Sequence, residues 1–161
     1  MSAIMMRVMN TIYSIVGVVG VGAMGRGIAQ IAAQAGSTVR LFDMQPEAIR
    51  KAHDAIAAQW DKLAEKGRIS PEQLSAYKAR LQPANSLKDL SDCDMVVEAI
   101  VERLDVKKSF FTELEGIVSE SAVLATNTSS LSVTAIAAPL KRPQRFAGYH
   151  FFNPVPLMKV V

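Results

Sequence analysis

A serine and a histidine, Ser129 and His150, are the pair in this chain best suited to chemistry on a hydroxyl group. An imidazole changes protonation near neutrality, so a histidine can take the proton of an alcohol as hydride leaves the same carbon. A serine hydroxyl can hold the oxygen beside it. Each residue also has a plainer reading: His150 as a packed or surface side chain, Ser129 as the start of a helix at Leu131. Asn153, ahead of Pro154, fits a turn. Glu98 and Glu102 bracket the end of an apolar run, and Glu102 is the one expected to face a crevice. His53 falls on a helical surface and reads as solvated. Cys93 stands alone, which leaves neither a disulfide framework nor a metal-ligand spacing, so no metal is expected. A structural thiol in a reducing compartment fits it.

A second constellation binds rather than reacts. Gly20-Val21-Gly22-Ala23-Met24-Gly25 lies between a short apolar run, Ile15 to Gly20, and an Ala-rich stretch, Met24 to Ala35, that Gly36 ends. That is a strand, a glycine turn and a helix. Gly20 permits the tight turn, Gly22 lets backbone approach a pyrophosphate, and Gly25 lets helix and strand pack closely. The first turn of the helix, at Ala23 and Met24, offers unpaired N–H groups and a partial positive charge to the phosphates. Asp43 follows Gly25 by eighteen residues, at the end of a second strand. Its carboxylate suits ribose hydroxyls and repels a 2′-phosphate. Met44 and Gln45 supply no arginine for that phosphate, so the cofactor expected is NAD rather than NADP.

The elements that must position these groups follow from periodicity. Strands are expected at Ile15 to Gly20, Thr38 to Asp43, Met95 to Ala99, Ala122 to Asn127 and Arg145 to His150. Between them, Leu104 to Val118 and Leu131 to Ala138 read as helices. Ile49, Ile56, Trp60 and Leu63 form a helical stripe that stops near Gly67. Ser70-Pro71-Glu72-Gln73 starts another helix, with Ser as cap and Gln reaching back, and Leu74, Tyr77 and Leu81 continue it. Residues 46–82 are therefore a helical hairpin inserted after the second strand. Strands alternating with helices predict an α/β Rossmann-type, doubly wound, mainly parallel sheet. Ser129 and His150 each lie at or beyond a strand end, where such sheets form their ligand crevice.

The 161 residues suit one domain, and half of them are hydrophobic. The net charge is +3, and the hairpin segment from Arg50 to Gln82 carries that excess by itself, with seven Lys or Arg against four acids. A basic face can attract a phosphorylated ligand, or be an ordinary solvated surface. Its cations are not interleaved with aromatics, so nucleic acid is excluded as the expected partner. No apolar run reaches transmembrane length. Met1 to Ser14 is Met-rich with one charge, Arg7, and lacks the basic start and cleavage site of a signal peptide. Residues 1–13 are expected to be an extension or leader, and 14–161 the binding domain, in a cytoplasmic protein that no membrane holds. The apolar end from Phe151 to Val161, with only Lys159 charged, predicts either a missing partner surface or a strand buried in the sheet.

Four blocks, Gly17 to Gly25, Val97-Glu98-Ala99-Ile100-Val101-Glu102, Asn127-Thr128-Ser129-Ser130 and His150-Phe151-Phe152-Asn153-Pro154, together resemble the 3-hydroxyacyl-CoA dehydrogenase family over roughly Ser14 to Val161. The resemblance implies NAD-dependent oxidation of the 3-hydroxyl of an acyl-CoA to a ketone, as in fatty-acid degradation. It implies that His150 is the proton acceptor and that Ser129 holds the substrate oxygen beside the nicotinamide. It implies that Asp43 meets the adenosine ribose, and that Glu102, Lys107 and Asn153 line the nicotinamide side. It also implies that Lys66 meets the CoA phosphates, although a neighbouring CoA-binding serine of the family is Gln59 here.

The same resemblance puts the glutamate that orients the histidine just past Val161, in a family whose helical second domain carries an asparagine, the acyl pocket and most of a homodimer interface. The expectation is a cofactor-binding half that is nearly inactive alone. Three other readings stay open on the residues. The 3-hydroxyisobutyrate and 6-phosphogluconate dehydrogenase group shares the GxGxMG opening but lacks the HFFNP block. A hydroxy-acid or sugar-acid dehydrogenase related to lambda-crystallin shares much of the layout. A folded NAD-binding module without turnover would keep the loop and Asp43.

Overall fold

The computed structural model describes residues 13–158 and 160–161. The expected leader lies outside them except for Tyr13. Tyr13 already belongs to the domain, since its carbonyl accepts from Ser37 Oγ at 2.8 Å and its ring packs on the core.

Six strands form one sheet: β1 (Ile15–Val19), β2 (Thr38–Phe42), β3 (Leu81–Pro83), β4 (Met95–Glu98), β5 (Val123–Thr126) and β6 (Phe146–Gly148). Their order is β3-β2-β1-β4-β5-β6, and every pairing is parallel. Parallel strands need crossovers, and the helices supply them on both faces. The helices are α1 (Ala23–Ala35), α2 (Pro46–Glu65), α3 (Pro71–Arg80), α4 (Leu104–Glu115) and α5 (Val133–Ala137). Strand side chains alternate between two cores. Val16, Val18, Leu41 and Val97 face α1, α2 and α3, while Val19, Phe42, Val96 and Leu124 face α4 and α5.

Local chemistry sets the helix ends. Gly36 takes a left-handed φ of 113° and closes α1, and Gly67, at φ 64°, follows the end of α2. Ser70 and Gln73 form the expected capping box, with Gln73 N–H donating to Ser70 Oγ at 3.2 Å and Ser70 N–H to Gln73 Oε1 at 2.8 Å. Lys78 ties α3 to α2 through Asp61 at 2.6 Å.

The helix expected over Leu104 to Val118 ends at Glu115, and the fold departs from the sequence expectations more consequentially in three further places. The hairpin does not run to residue 82: α3 ends at Arg80, and Leu81–Pro83 become an edge strand beside β2. Pro83 is tolerated there because an edge strand leaves one row of donors unused. The short helix starts at Val133, not Leu131, and its cap is Ser132, whose hydroxyl accepts from Ala135 N–H. Ser129 is therefore not a helix cap. The last strand ends at Gly148, two residues before His150.

The segment after His150 folds back on α1. Phe151 and Val155 are buried in the α1 core. A Cβ on Gly27 of α1 would stand 2.7 Å from the Val155 Cβ. The methyl alone would favour the helix by roughly 0.5–1 kcal/mol. Overpacking against a side chain root costs about 1–3 kcal/mol, so Gly27→Ala is expected to destabilise. Thermal unfolding should show a Tm drop of about 2–4 °C per kcal/mol lost. A Tm equal to or above that of the unmutated chain would mean that Val155 does not pack against Gly27.

Candidate functional site

The glycine loop meets the steric demands expected of it. Gly20 has φ 84°, and a Cβ there would lie 2.6 Å from the Ala99 carbonyl oxygen. A Cβ on Gly25 would lie 1.7 Å from the Gly20 carbonyl oxygen. A Cβ on Gly22 would meet nothing within 4 Å, so that face of the loop opens outward. Ala23 and Met24 open α1, whose first N–H groups lack intrahelical acceptors. The loop is held from β2. Asp43 Oδ2 accepts from Val21 N–H at 3.1 Å, and Oδ1 accepts from Gln45 N–H at 3.0 Å. Each carboxylate oxygen keeps a further acceptor site for a ribose hydroxyl.

Beside the loop lies a cleft of about 720 Å³, lined by Gly20, Gly22, Asp43, Ala99, Ile100 and Phe110 among others. Met44, 86% exposed, and Val101, 60% exposed, form apolar lips. Large apolar side chains left in water at a cleft mouth mark a ligand surface. A loop with open space at Gly22, a carboxylate beside it and an apolar slot could hold a dinucleotide. The cleft opens beyond the carboxyl ends of β1 and β4, the neighbouring strands at the switch point of the sheet.

The reactive groups gather at the ends of β5 and β6. Ser129 Oγ lies 3.2 Å from His150 Nε2. No spacing argument predicts that distance, because twenty-one residues separate the two. Parallel register supplies it: Thr126 pairs with Gly148, so the two loops leave the sheet side by side. Tyr149 N–H donates to Thr126 O at 2.9 Å and extends the ladder one step.

Glu102 organises the loop that carries Ser129. Its Oε1 accepts from Thr128 Oγ1, from Ser129 N–H at 2.9 Å and from Ser130 N–H at 3.2 Å. Its Oε2 faces Lys107 Nζ at 3.2 Å. Partial removal from water favours the neutral acid. The hydrogen bonds from Thr128, Ser130, Ser129 and Lys107 outweigh that and bring the Glu102 carboxyl down from 4.5 to about 2.

Behind Glu102 the charges are buried. Lys107 is 1% exposed and Glu98 is fully buried; they pair at 2.6 Å. Glu98 also accepts from Thr126 Oγ1 at 2.7 Å and Ile100 N–H at 2.7 Å, so both its oxygens are satisfied. Lys107 thus stands beneath the crevice floor, contacting the two glutamates.

The remaining candidates lie apart from the pair or at its edge. Asn153 is exposed in the bend after Phe152. Lys66 is exposed at the end of α2, and Gln59 is exposed on the same helix. His53 is partly exposed beside Asp54. Cys93 is a buried core thiol, pushed up to about 12 chiefly by burial. The sequence brings out Glu98 and Asn127 but not the links they make. Glu98 ends an apolar strand, a place where a carboxylate must find a buried partner. Asn127 Oδ1 accepts from Phe151 N–H at 2.9 Å, a link that no local pattern announces.

The fold and site define a nucleotide-binding α/β domain with a serine–histidine pair at the crevice. A family model described as "3-hydroxyacyl-CoA dehydrogenase, NAD binding domain" matches residues 15–161, and the chain belongs to that family. NAD is its cofactor. The chain is 44% identical over 146 residues to the 3-hydroxyadipyl-CoA dehydrogenase of Escherichia coli, covering 91% of this chain and 31% of that one. It is 44% identical over 145 residues to a probable 3-hydroxybutyryl-CoA dehydrogenase of Deinococcus radiodurans, covering 90% and 52%. A solved 3-hydroxybutyryl-CoA dehydrogenase structure from Escherichia coli superposes with a TM-score of 0.89 at 44% identity, covering 91% and 31%. The chain spans about a third to a half of the length of these relatives. No helix among the described residues is long and apolar enough to cross a membrane.

The Glu102 hydrogen bonds make a pH prediction. A carboxylate whose folded pKa is depressed stabilises the fold above its unfolded pKa and loses that contribution as pH falls through the folded value. Urea midpoints of the unmutated chain should therefore fall between pH 4.5 and about 2 by more than those of Glu102→Gln. Parallel midpoint curves for the two proteins would contradict the Glu102 arrangement.

Proposed function

We propose that this chain is the NAD-binding and proton-accepting half of an NAD-dependent 3-hydroxyacyl-CoA dehydrogenase. The observation that carries the reading is the 3.2 Å approach of Ser129 Oγ to His150 Nε2 at the crevice, beside a dinucleotide loop. A bound NAD would supply the acceptor for the hydride at the 3-carbon. His150 Nε2 takes the proton of the 3-hydroxyl as that carbon becomes a ketone. Ser129 Oγ, at hydrogen-bond distance from Nε2, marks where the reacting oxygen sits and holds it there. Glu102 keeps the Ser129 loop against the crevice floor.

The loop, Asp43 and Met44 bind the adenosine side, with Asp43 selecting against a 2′-phosphate. Asn153 lines the nicotinamide side. Lys66 on the hairpin meets the CoA phosphates, an exposed contact that salt weakens. Among the described residues no carboxylate bonds the His150 ring, and the family resemblance puts the orienting glutamate just past Val161, ahead of a helical second domain. The acyl pocket and a homodimer interface belong there as well, in a cytoplasmic enzyme of acyl-CoA degradation.

NADH formation from 3-hydroxybutyryl-CoA and NAD tests the reading. Replacing the orienting carboxylate of a related triad costs about 10⁴ in turnover, so a chain extended through the helical domain should outpace this one by at least roughly a thousandfold. In the extended form, His150→Gln should lower turnover by about 10²–10⁴. Comparable rates at the two lengths, or an unimpaired His150→Gln protein, would contradict it.

A further inference from the structure

The segment carrying His150 leaves the sheet one residue before the histidine. β6 ends at Gly148, and Tyr149 N–H to Thr126 O is the last rung of the ladder. The next main-chain donor beyond the histidine, Phe151 N–H, finds a side-chain acceptor instead: Asn127 Oδ1, at 2.9 Å. Asn127 is itself fixed, because its own N–H donates to Glu98 O at 2.8 Å, next to the buried Glu98–Lys107 pair. His150 is therefore bracketed by two hydrogen bonds. One runs from Tyr149 to Thr126 and one from Phe151 to Asn127, and both acceptors lie within three residues of Ser129.

The apolar anchors do not replace this link. Phe151 and Val155 seat the tail in the α1 core and fix its depth. Burial of this kind is non-directional and specifies no particular partner for the backbone N–H groups. A hydrogen bond is directional, and here it closes the span between the loop that carries Ser129 and the loop that carries His150. A shift of about 1 Å between reacting groups is enough to cost about a hundredfold in rate.

We infer that Asn127 is a positioning residue whose side-chain carbonyl, by accepting from Phe151 N–H, holds the His150 imidazole against Ser129. This rests on the proposed roles of Ser129 and His150, but its test needs no catalysis. The ring nitrogens of His150 in the ¹⁵N-labelled full chain report the Ser129 contact, and His150→Gln separates them from those of His53. In the unmutated chain, Ser129→Ala should move the His150 Nε2 resonance. In an Asn127→Ala background the same Ser129→Ala change should have little or no effect. Asn127→Asp, which keeps an acceptor for Phe151 N–H, should restore the sensitivity. A role confined to stability would lower Tm in Asn127→Ala yet leave the Ser129 effect at full size, and that result would overturn the inference. If Asn127→Ala does not fold, Asn127→Ser, too short to reach Phe151 N–H, carries the same comparison. Failure of the dehydrogenase reading would appear separately, as absent NADH formation in the extended protein with the Asn127 coupling intact.

Discussion

A lysine buried between two glutamates is the constraint on which the crevice depends. Lys107 bonds Glu98 at 2.6 Å and approaches Glu102 at 3.2 Å. Taking such ions out of water is expensive, and well-packed apolar side chains would often stabilise a core as much or more. What the ionic row does that apolar residues cannot is direct hydrogen bonds. Glu98 fastens β4 to β5 through Thr126 Oγ1 and to the strand's own continuation through Ile100 N–H. Glu102, kept charged, gathers the hydroxyl of Thr128 and the N–H groups of Ser129 and Ser130. Removing one partner of the buried Glu98–Lys107 pair costs about 3–5 kcal/mol, which ties the loops above it to the core.

The two ligand-facing halves of the domain are built by different means. On the β1–β2 side the work is steric: glycines at 20 and 25 exclude side chains where backbone must pass, and Gly22 leaves its outer face open. Asp43 adds a polar tie between β2 and the loop before any ribose arrives. On the β5–β6 side the work is polar. Register puts the two loops side by side, Glu102 holds one, and Asn127 links it to the other. The first half suits a cofactor whose shape is constant. The second suits proton transfer, which tolerates little displacement.

Much of this was legible in the residues. The glycine loop was, because Gly20 and Gly25 stand where a Cβ would strike backbone and Gly22 leaves its outer face open. The capping box at Ser70 and Gln73 was, because it is a local pair. The edge strand Leu81–Pro83 was not: it is three residues long, ends in proline, and continues the stripe of Leu74 and Tyr77 in register. Ser129 could be taken for a cap because the run from Thr126 to Ser132 offers five hydroxyls, and only the backbone turn at Ser132 decides among them. Lys107 sits in a helix beside Lys108 and looks solvated; its burial follows from Glu98, nine residues earlier on another element. Long-range pairing of this kind has no sequence period. The resemblance of the HFFNP and NTSS blocks to a known family supplied what periodicity could not, namely the expectation that residues 129 and 150 share one site, and they lie 3.2 Å apart.

Glu102 holds the loop bearing Ser129 through the N–H groups of Ser129 and Ser130. Amide hydrogen exchange at Ser129 and Ser130 tests it most directly, because both residues are exposed and the acceptor of both N–H groups is the Glu102 carboxylate. Slowed exchange is expected at both amides in the unmutated chain. Glu102→Ala should lose that protection, while the amides of Leu124 and Ala125 in β5 stay protected. Exchange of Ser129 and Ser130 at the rate of an unstructured peptide in the unmutated chain, or unchanged protection in Glu102→Ala, would contradict it.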